Sequence, residues 1–599
     1  MKTPAISKLL IVADDAKLAA QASCRFSSSG QYLPIVDGPR MSRPDWPDEV
    51  LRRSNVAARI RPEQILFAGV SDTGCEAMCS QLPRSRIERV STSSDLPPFS
   101  SNRPPLRWGR NRIGLGLLTA LRAKTEIFFD DTESPLIPVP SKSGHLVVCE
   151  AGEELELESV IAANYAFSLQ AGMAMIPHVP QTASERILER FYSVYDDLST
   201  SATKALEELR AELRALCAGV EIPPHGSITF VSRRLPFGFA FPEVPSTHLF
   251  IYPDLGTSVV NGFTFEETER ATKVAVVVDP GQAEAPEIEA AAHLLASKGT
   301  FVRGYSDAGA SVRAISEMIE HFPYDLLIVA THCGDVPGHR WTYEFTDSEG
   351  IDRELVVDIA LGIASTDDPD LLRLTRFVRF HSLDRVDWND PAKKEKLYVG
   401  TAIKDYAEWV HEQEPVYKDQ VERVIGSAAL RMYDHNIIPI PRSLASGRTP
   451  VVINNACVSW HELAARFLFA NARAYIGSLF PISTSEAHDV VLSLLGKHIE
   501  KPLAHALWAS QRGVYGESVR RPYVVSGVYP QRLYPSWIDA PRHIVACLSE
   551  ARQRWHAFFN GKQRLKGPSK TVKVSKDEAA ILAYFDREIA SIRSRYGLK

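Results

Sequence analysis

Apolar residues along this chain fall into two spacings, short unbroken runs and longer stretches with one apolar face. The run Lys8-Leu-Leu-Ile-Val-Ala13 predicts a buried strand, and the stretch Asp15–Cys24 behind it has helical spacing. Strands are expected again over Tyr32–Val36 and Gln64–Val70, whereas 39–62 and 80–112, rich in Pro, Arg and Ser, read as loops. The same grammar returns in His145–Cys149, Glu153–Leu169 and Gly172–Ile176. The pair LLIVADDAKLAAQAS and LVVCEAGEELELESVIAANYA suggests an internal duplication of a strand–helix–strand unit.

Thr182–Gly219 is the clearest helical region. Thr182 and Glu185 have capping-box spacing. Ile187, Leu188, Phe191, Val194, Tyr195 and Leu198 then share a face, and after a break near Ser199 a stripe of Leu206, Leu209, Leu213 and Leu216 runs to a C-capping Gly219. From 226 onward strands and helices alternate. Strands are expected at Ser227–Ser232, His248–Tyr252, Lys273–Val278, Thr300–Gly304 and Asp325–Ala330, with helices at Ala285–Lys298 and Ser311–Phe322. The pattern breaks over 336–446. It resumes with the strand Pro450–Asn454, the helix His461–Asn471 and the strand Ala474–Leu479. Such alternation predicts a parallel sheet with helices on both faces. A last helix carries the stripe Ile581, Leu582, Phe585 and Ile589.

Composition narrows the class. At 599 residues the chain has room for two to four domains, and 45% apolar content rules out wholesale disorder. Its 68 basic and 73 acidic residues nearly cancel, which argues against a chain-wide nucleic-acid surface. The eight cysteines are scattered, without the doublets of a structural zinc site; Cys75 and Cys79 alone share a helical spacing. The N-terminal apolar run is too short and too acidic for a signal peptide, and no segment approaches a membrane span, so a cytoplasmic protein is expected. Gly114-Leu-Gly116 lacks the third glycine of a dinucleotide fingerprint, and no phosphate-binding loop, His-Glu-x-x-His or Gly-x-Ser-x-Gly occurs. No cofactor or metal is expected.

Chemistry concentrates where two apolar strands end on reactive residues. One is Asp325-Leu-Leu-Ile-Val-Ala-Thr-His332-Cys333-Gly334; the other is Pro450-Val-Val-Ile-Asn-Asn-Ala-Cys457-Val-Ser-Trp460. Ligands gather at the carboxyl ends of parallel strands. If these strands are neighbours, an imidazole and a thiol project into one crevice, the pair needed for acyl transfer. The histidine takes the thiol proton and later protonates the departing amine. Backbone N–H groups of Gly334 and Cys457 are the candidate oxyanion donors. Glu486 and Asp489, after the last of these strands, are candidate pocket residues for a basic side chain. His225-Gly226 follows two prolines rather than a buried strand and is discounted.

With these residues in view, the chain resembles the CHAT branch of the caspase- and separase-like cysteine peptidases. The resemblance rests on Thr331-His332-Cys333-Gly334, on Asn455-Ala456-Cys457-Val458-Ser459, and on the segment Ala472-Arg473-Ala474-Tyr475-Ile476-Gly477-Ser478-Leu479-Phe480-Pro481-Ile482 that follows a helix. FVSRRLPFGFAF, THLFIYPDLG and KVAVVVDPGQ look like the family's entry segments, so the likeness covers roughly 225–520. It implies a caspase-like, mostly parallel α/β sheet flanked by helices, with Cys457 as nucleophile and His332 as general base and acid. It also implies a protein substrate and a place in bacterial stress, cell-death or antiphage defence. Two departures stand out: Cys333 intervenes between His and Gly and is a rival thiol, and His332 lies 125 positions before Cys457.

The expected organisation is an N-terminal α/β sensor or regulatory domain over 1–180, where an activating partner or ligand would bind, and a helical connector over 181–222. A peptidase domain follows over 223–550, with an insertion at about 336–446, and then a helical extension over 551–599. Within the insertion a hairpin is expected about Ser348-Glu349-Gly350, and the charged stretch 362–425 suits a lid, exosite or interaction surface. Neither nucleic acid nor membrane is an expected partner. The alternative to an enzyme is a catalytically degenerate CHAT-like scaffold or ligand-sensing interaction protein.

Overall fold

The computed structural model describes all residues except 1–2, 42–45, 84, 100–102, 153–156, 195–199, 253, 269–270, 366–371, 389, 442, 537–538, 566–575 and 599. A four-stranded parallel sheet comes first, made of β1 (Leu9–Ala13), β2 (Ile35–Asp37), β3 (Gln64–Ala68) and β4 (Arg86–Val90) in the order β2-β1-β3-β4. All five residues of β1 are buried, as an unbroken apolar run requires. Helices α1 (Ala16–Phe26), α2 (Trp46–Ile60) and α3 (Asp72–Cys79) accompany it. Asp15 caps α1 by accepting from the Leu18 N–H at 2.9 Å.

Two expectations change here. The strand expected over Tyr32–Val36 is divided at Leu33-Pro34: Gln31–Tyr32 pairs with Ala5–Ile6, and β2 pairs with β1. Residues 39–62 are not a loop but mostly the helix α2, while β4 lies inside 80–112. The periodicity of α2 was concealed because it buries charge: Glu49 and Arg53 pair at 3.1 Å with almost no exposure, beside Val50, Val56, Ala57 and Ile60.

Beyond α4 (Ile113–Ala123), β5 (His145–Glu150), α5 (Leu157–Ser168) and β6 (Gly172–Ile176) do form a second strand–helix–strand unit. Gly114 and Gly116 belong to α4, where a Cβ would meet the Ser159 carbonyl oxygen at 2.4 Å and the Trp108 ring at 2.5 Å, so close helix packing accounts for both. Helix α6 (Gln181–Tyr192) starts at Pro180 and has no side-chain cap, so the expected Thr182/Glu185 box does not form; Glu185 instead accepts from Gln181. Tyr195, Leu198 and Ser199 lie outside the described residues. Helix α7 (Thr200–Leu216) buries Leu206, Leu209 and Leu213.

The next elements are β7 (Ser227–Ser232), β8 (Ser246–Phe250), α8 (Leu255–Thr268), β9 (Val274–Asp279), α9 (Pro286–Ser297), β10 (Phe301–Ser306), α10 (Val312–His321) and β11 (Leu326–Val329). The interruption contributes β12 (Cys333–Gly334), β13 (Gly338–Thr346), β14 (Asp352–Ser365), β15 (Leu372–Leu383), β16 (Tyr417–Val421) and β17 (Ala429–Arg431). After it come β18 (Val451–Asn454), α11 (His461–Phe469), β19 (Ala474–Ser478), α12 (Thr484–Lys497), α13 (Leu503–Tyr515) and β20 (Tyr523–Gly527). The helices α14 (Ala540–Leu565) and α15 (Lys576–Tyr596) follow.

Ten of these strands form one sheet in the order β6-β5-β7-β8-β20-β19-β18-β11-β9-β10. Every neighbouring pair is parallel except β19 and β20, so two parallel blocks run in opposite directions and meet at that junction. Alternate residues point to opposite faces, as strand geometry dictates. Val147, Val277, Ile328, Ile453 and Ile476 face a core shared with α5, α8 and α12, and also with Ile11 and Phe67 of the N-terminal sheet. Val148, Val276, Leu327, Val329 and Val452 face a second core under α6, α7, α10, α11, α14 and α15.

The sheet runs across the boundary expected at residue 180, since β5 and β6 pair onto β7. The N-terminal sheet in turn shares a core with the large one. The boundary expected at 550 falls inside α14. Within the interruption, β13, β14, β15 and β16, with the two-residue strand Val386–Asp387, build a separate five-stranded antiparallel sheet. Its first hairpin is the expected one about Ser348-Glu349-Gly350, with Tyr343 opposite Leu355 and Phe345 opposite Arg353. No helix among the described residues is long and apolar enough to cross a membrane.

Candidate active site

Strand order locates the crevice. From β9 the chain crosses through α9 to β10 on one side, then returns through α10 to β11 on the other. The carboxyl ends of β9 and β11 therefore form a topological switch point, where open α/β sheets leave a cleft. Strand β11 pairs in parallel with β18, Val329 opposite Asn454, and the Asn455 N–H donates to the Val329 carbonyl at 2.7 Å. His332 and Cys457 thus leave the sheet from adjacent strands at the same height.

His332 is exposed and held from two sides. Its Nε2 lies 3.0 Å from the Gln282 carbonyl oxygen in the loop after β9, and its own carbonyl accepts from the Arg431 N–H at 3.0 Å. Arg431 Nε donates to Gln282 Oε1 at 3.3 Å, closing a small ring of contacts. A carbonyl only accepts, so Nε2 carries the proton and the neutral ring has its lone pair on Nδ1.

Cys457 is half-buried. Its thiol donates to the Ile482 carbonyl at 3.7 Å and accepts from the Ile482 N–H at 3.4 Å; no hydrogen bond joins it to His332. Burial pushes the thiol above its ordinary value, aided by the Glu486 charge and opposed by the Ile482 N–H and Arg520. The resting sulfur is therefore protonated at neutral pH.

The turn that presents Cys457 is tightly specified. Val458 has φ 53°, a left-handed conformation costly for a β-branched residue. Ser459 Oγ donates to the Asn454 carbonyl at 2.9 Å, Ser478 Oγ to Ala456 O at 2.9 Å, and Tyr475 to Ser459 O at 2.7 Å. On the other side Asn455 Nδ2 donates to Glu287 Oε1 at 2.7 Å, and the Tyr523 hydroxyl donates to Asn455 Oδ1. Asn455, Ser459, Tyr475 and Ser478 stood in the segments that carry the resemblance, with no supporting role assigned to them, and Glu287 and Tyr523 were not singled out from the sequence. The supporting role had one local signal, the doublet Asn454-Asn455 at a strand end, where short amides serve turns.

The remaining expected residues have different settings. Cys333 packs against the second core, and burial, with Asp335 adding to it, pushes its thiol far above the usual range. Gly334 lies in a short antiparallel ladder opposite Ala429, and nothing approaches within 4 Å of where its Cβ would be. Arg431 N–H already bonds the His332 carbonyl, so by the alternation of such ladders Gly334 and Ala429 form the next bonded pair. As an oxyanion donor, the Gly334 N–H would have to leave that pairing.

Glu486 is not open to a basic substrate side chain. It completes a capping box with Ser483, and Arg520 grips both its oxygens, with Nη2 on Oε2 at 2.8 Å. Burial pushes this carboxyl up, but Arg520 and the Ser483 N–H outweigh that and hold it below the ordinary range. Asp489 is exposed on α12, 3.1 Å from Nδ1 of His488. Cys75 and Cys79 lie on α3, and the Cys75 thiol meets the Val70 carbonyl at 3.6 Å.

No protein-family model and no curated protein matches this chain.

Proposed function

We propose that the chain is a cysteine endopeptidase of caspase-like type in which Cys457 attacks the scissile carbonyl and His332 moves the proton. The observation that carries this reading is the register of β11 and β18, which delivers both side chains to one end of the sheet beside its switch point. With Nε2–H engaged by Gln282, Nδ1 takes the thiol proton; the sulfur then forms the acyl bond as the imidazolium protonates the leaving amine. Water, activated by the same nitrogen, hydrolyses the thioester. The Cys457 N–H receives the oxyanion, joined by the Gly334 N–H once that group leaves its pairing with Ala429. The engagement of the thiol by Ile482 and its raised pKa suit a regulated enzyme, switched on when the 480–486 segment releases the sulfur. By resemblance, the substrate is a partner protein in a bacterial stress, cell-death or antiphage system in the cytoplasm.

That same engagement favours a second reading, a catalytically degenerate scaffold or ligand sensor. The experiment that separates them is a proteome-wide search for cleaved proteins, beginning with those encoded beside this one, using wild type, Cys457→Ala and Cys333→Ala. The peptidase reading expects cleavage to disappear in Cys457→Ala and persist in Cys333→Ala. Cleavage that persists in Cys457→Ala moves the nucleophile to Cys333, and none in wild type under any stress favours the scaffold.

A further inference from the structure

A second thiol stands in a basic setting away from this site. Cys547 lies on α14 at the flank of the face that buries Ile544, Leu548 and Ala551, and is half-buried. One turn earlier on the same helix, His543 brings Nε2 to 3.6 Å from the sulfur. From the loop before β18, Arg448 directs Nη1 to the sulfur at 3.8 Å. That guanidinium is itself fixed, because Nε and Nη2 donate to Asp325 Oδ1 at 3.1 and 2.9 Å. The other oxygen of Asp325 accepts from the backbone N–H groups of Lys273 and Val274 at 2.8 and 3.0 Å. The cation beside the thiol is thus anchored to the starts of β9 and β11. An imidazole and a guanidinium on two different elements converge on the sulfur of this half-buried residue, the kind of setting that favours thiolate.

We propose that Cys547 is a peroxide-reactive modification site, independent of any role for Cys457. The thiol gives its proton to His543, and the thiolate sulfur attacks one oxygen of hydrogen peroxide. An S–O bond forms and the O–O bond breaks. The second oxygen leaves as hydroxide and takes the proton from His543 to become water. Sulfur is oxidised by two electrons to a sulfenic acid and the peroxide is reduced.

The test treats the full chain with hydrogen peroxide at neutral pH, traps sulfenic acid with dimedone and maps all eight cysteines by peptide mass spectrometry. Cys547 is expected to label about tenfold faster than Cys79, a half-buried thiol on α3, because an imidazole and a guanidinium beside a thiol favour its thiolate. His543→Asn and Arg448→Gln are each expected to slow it severalfold. Arg448→Gln also releases Asp325, so His543→Asn carries the comparison if that variant does not fold. Labelling no faster than at Cys79, or a rate unchanged in every variant that folds, overturns the proposal.

Discussion

Val329 and Asn454 face each other across the parallel ladder of β11 and β18, and three residues beyond them stand His332 and Cys457. The imidazole is exposed, and its one side-chain hydrogen bond among the described residues is to the Gln282 carbonyl. His332→Asn is therefore expected to leave stability within about 0.5 kcal/mol of wild type. On the peptidase reading proposed above, cleavage of any partner protein that the proteome-wide search finds should fall about 10²- to 10⁴-fold. Thermal unfolding and single-turnover cleavage check the two halves; a loss of several kcal/mol would make the residue structural.

The charge on Glu486 disfavours thiolate at Cys457, and Arg520 opposes it. Iodoacetamide labelling of Cys457 in the wild type should therefore climb only above the ordinary thiol value of about 8.5. Replacing the carboxylate in Glu486→Gln leaves Arg520 uncompensated, so the labelling curve should move to lower pH. A curve that stays put or moves up would break this account of the thiol.

Arg520 also holds the segment that grips the Cys457 thiol, through Glu486 and through Nη2 to the Pro481 carbonyl at 2.9 Å. Breaking this pair, little exposed at 7% and 12%, in Arg520→Gln should cost about 3 kcal/mol by denaturant unfolding. The sign with pH follows from a folded-state carboxyl held below its unfolded value. Its contribution is complete above the ordinary glutamate value of about 4.3 and is lost as pH falls through the lower folded value. The gap between wild type and variant should accordingly narrow in acid; a gap independent of pH would contradict the assignment.

Val458 stores backbone strain beside Cys457. Val458→Asn, a residue that tolerates the left-handed region, should raise stability by about 1 kcal/mol, read as a higher denaturant midpoint. A midpoint at or below wild type would mean that valine packing outweighs the torsional cost.

The alternation of apolar runs was legible because both faces of the large sheet are covered, which leaves β9, β11 and β18 continuously apolar. The positions of His332 and Cys457 were legible for the same reason, since each closes such a run. Charge turned inward was not legible: Glu49 and Arg53 made α2 read as a loop, and Arg520 lies 34 positions from the carboxylate it holds. Glu486, expected as a pocket residue, is engaged by that long-range pairing, which no local pattern carries. The continuity of the large sheet across residue 180 was not legible, because a strand's composition does not reveal which sheet will accept it, so β5 and β6 read as well with the preceding unit as with β7.

The apolar core that joins Ile11 and Phe67 to Ile328 and Ile453 has a thermodynamic consequence. Segments that bury the same side chains lose them together, so the amino-terminal sheet and the crevice edge should melt in a single cooperative step. A signal received by that sheet would then reach His332 and Cys457 as a change in how often the molecule opens, with no module swinging on a hinge.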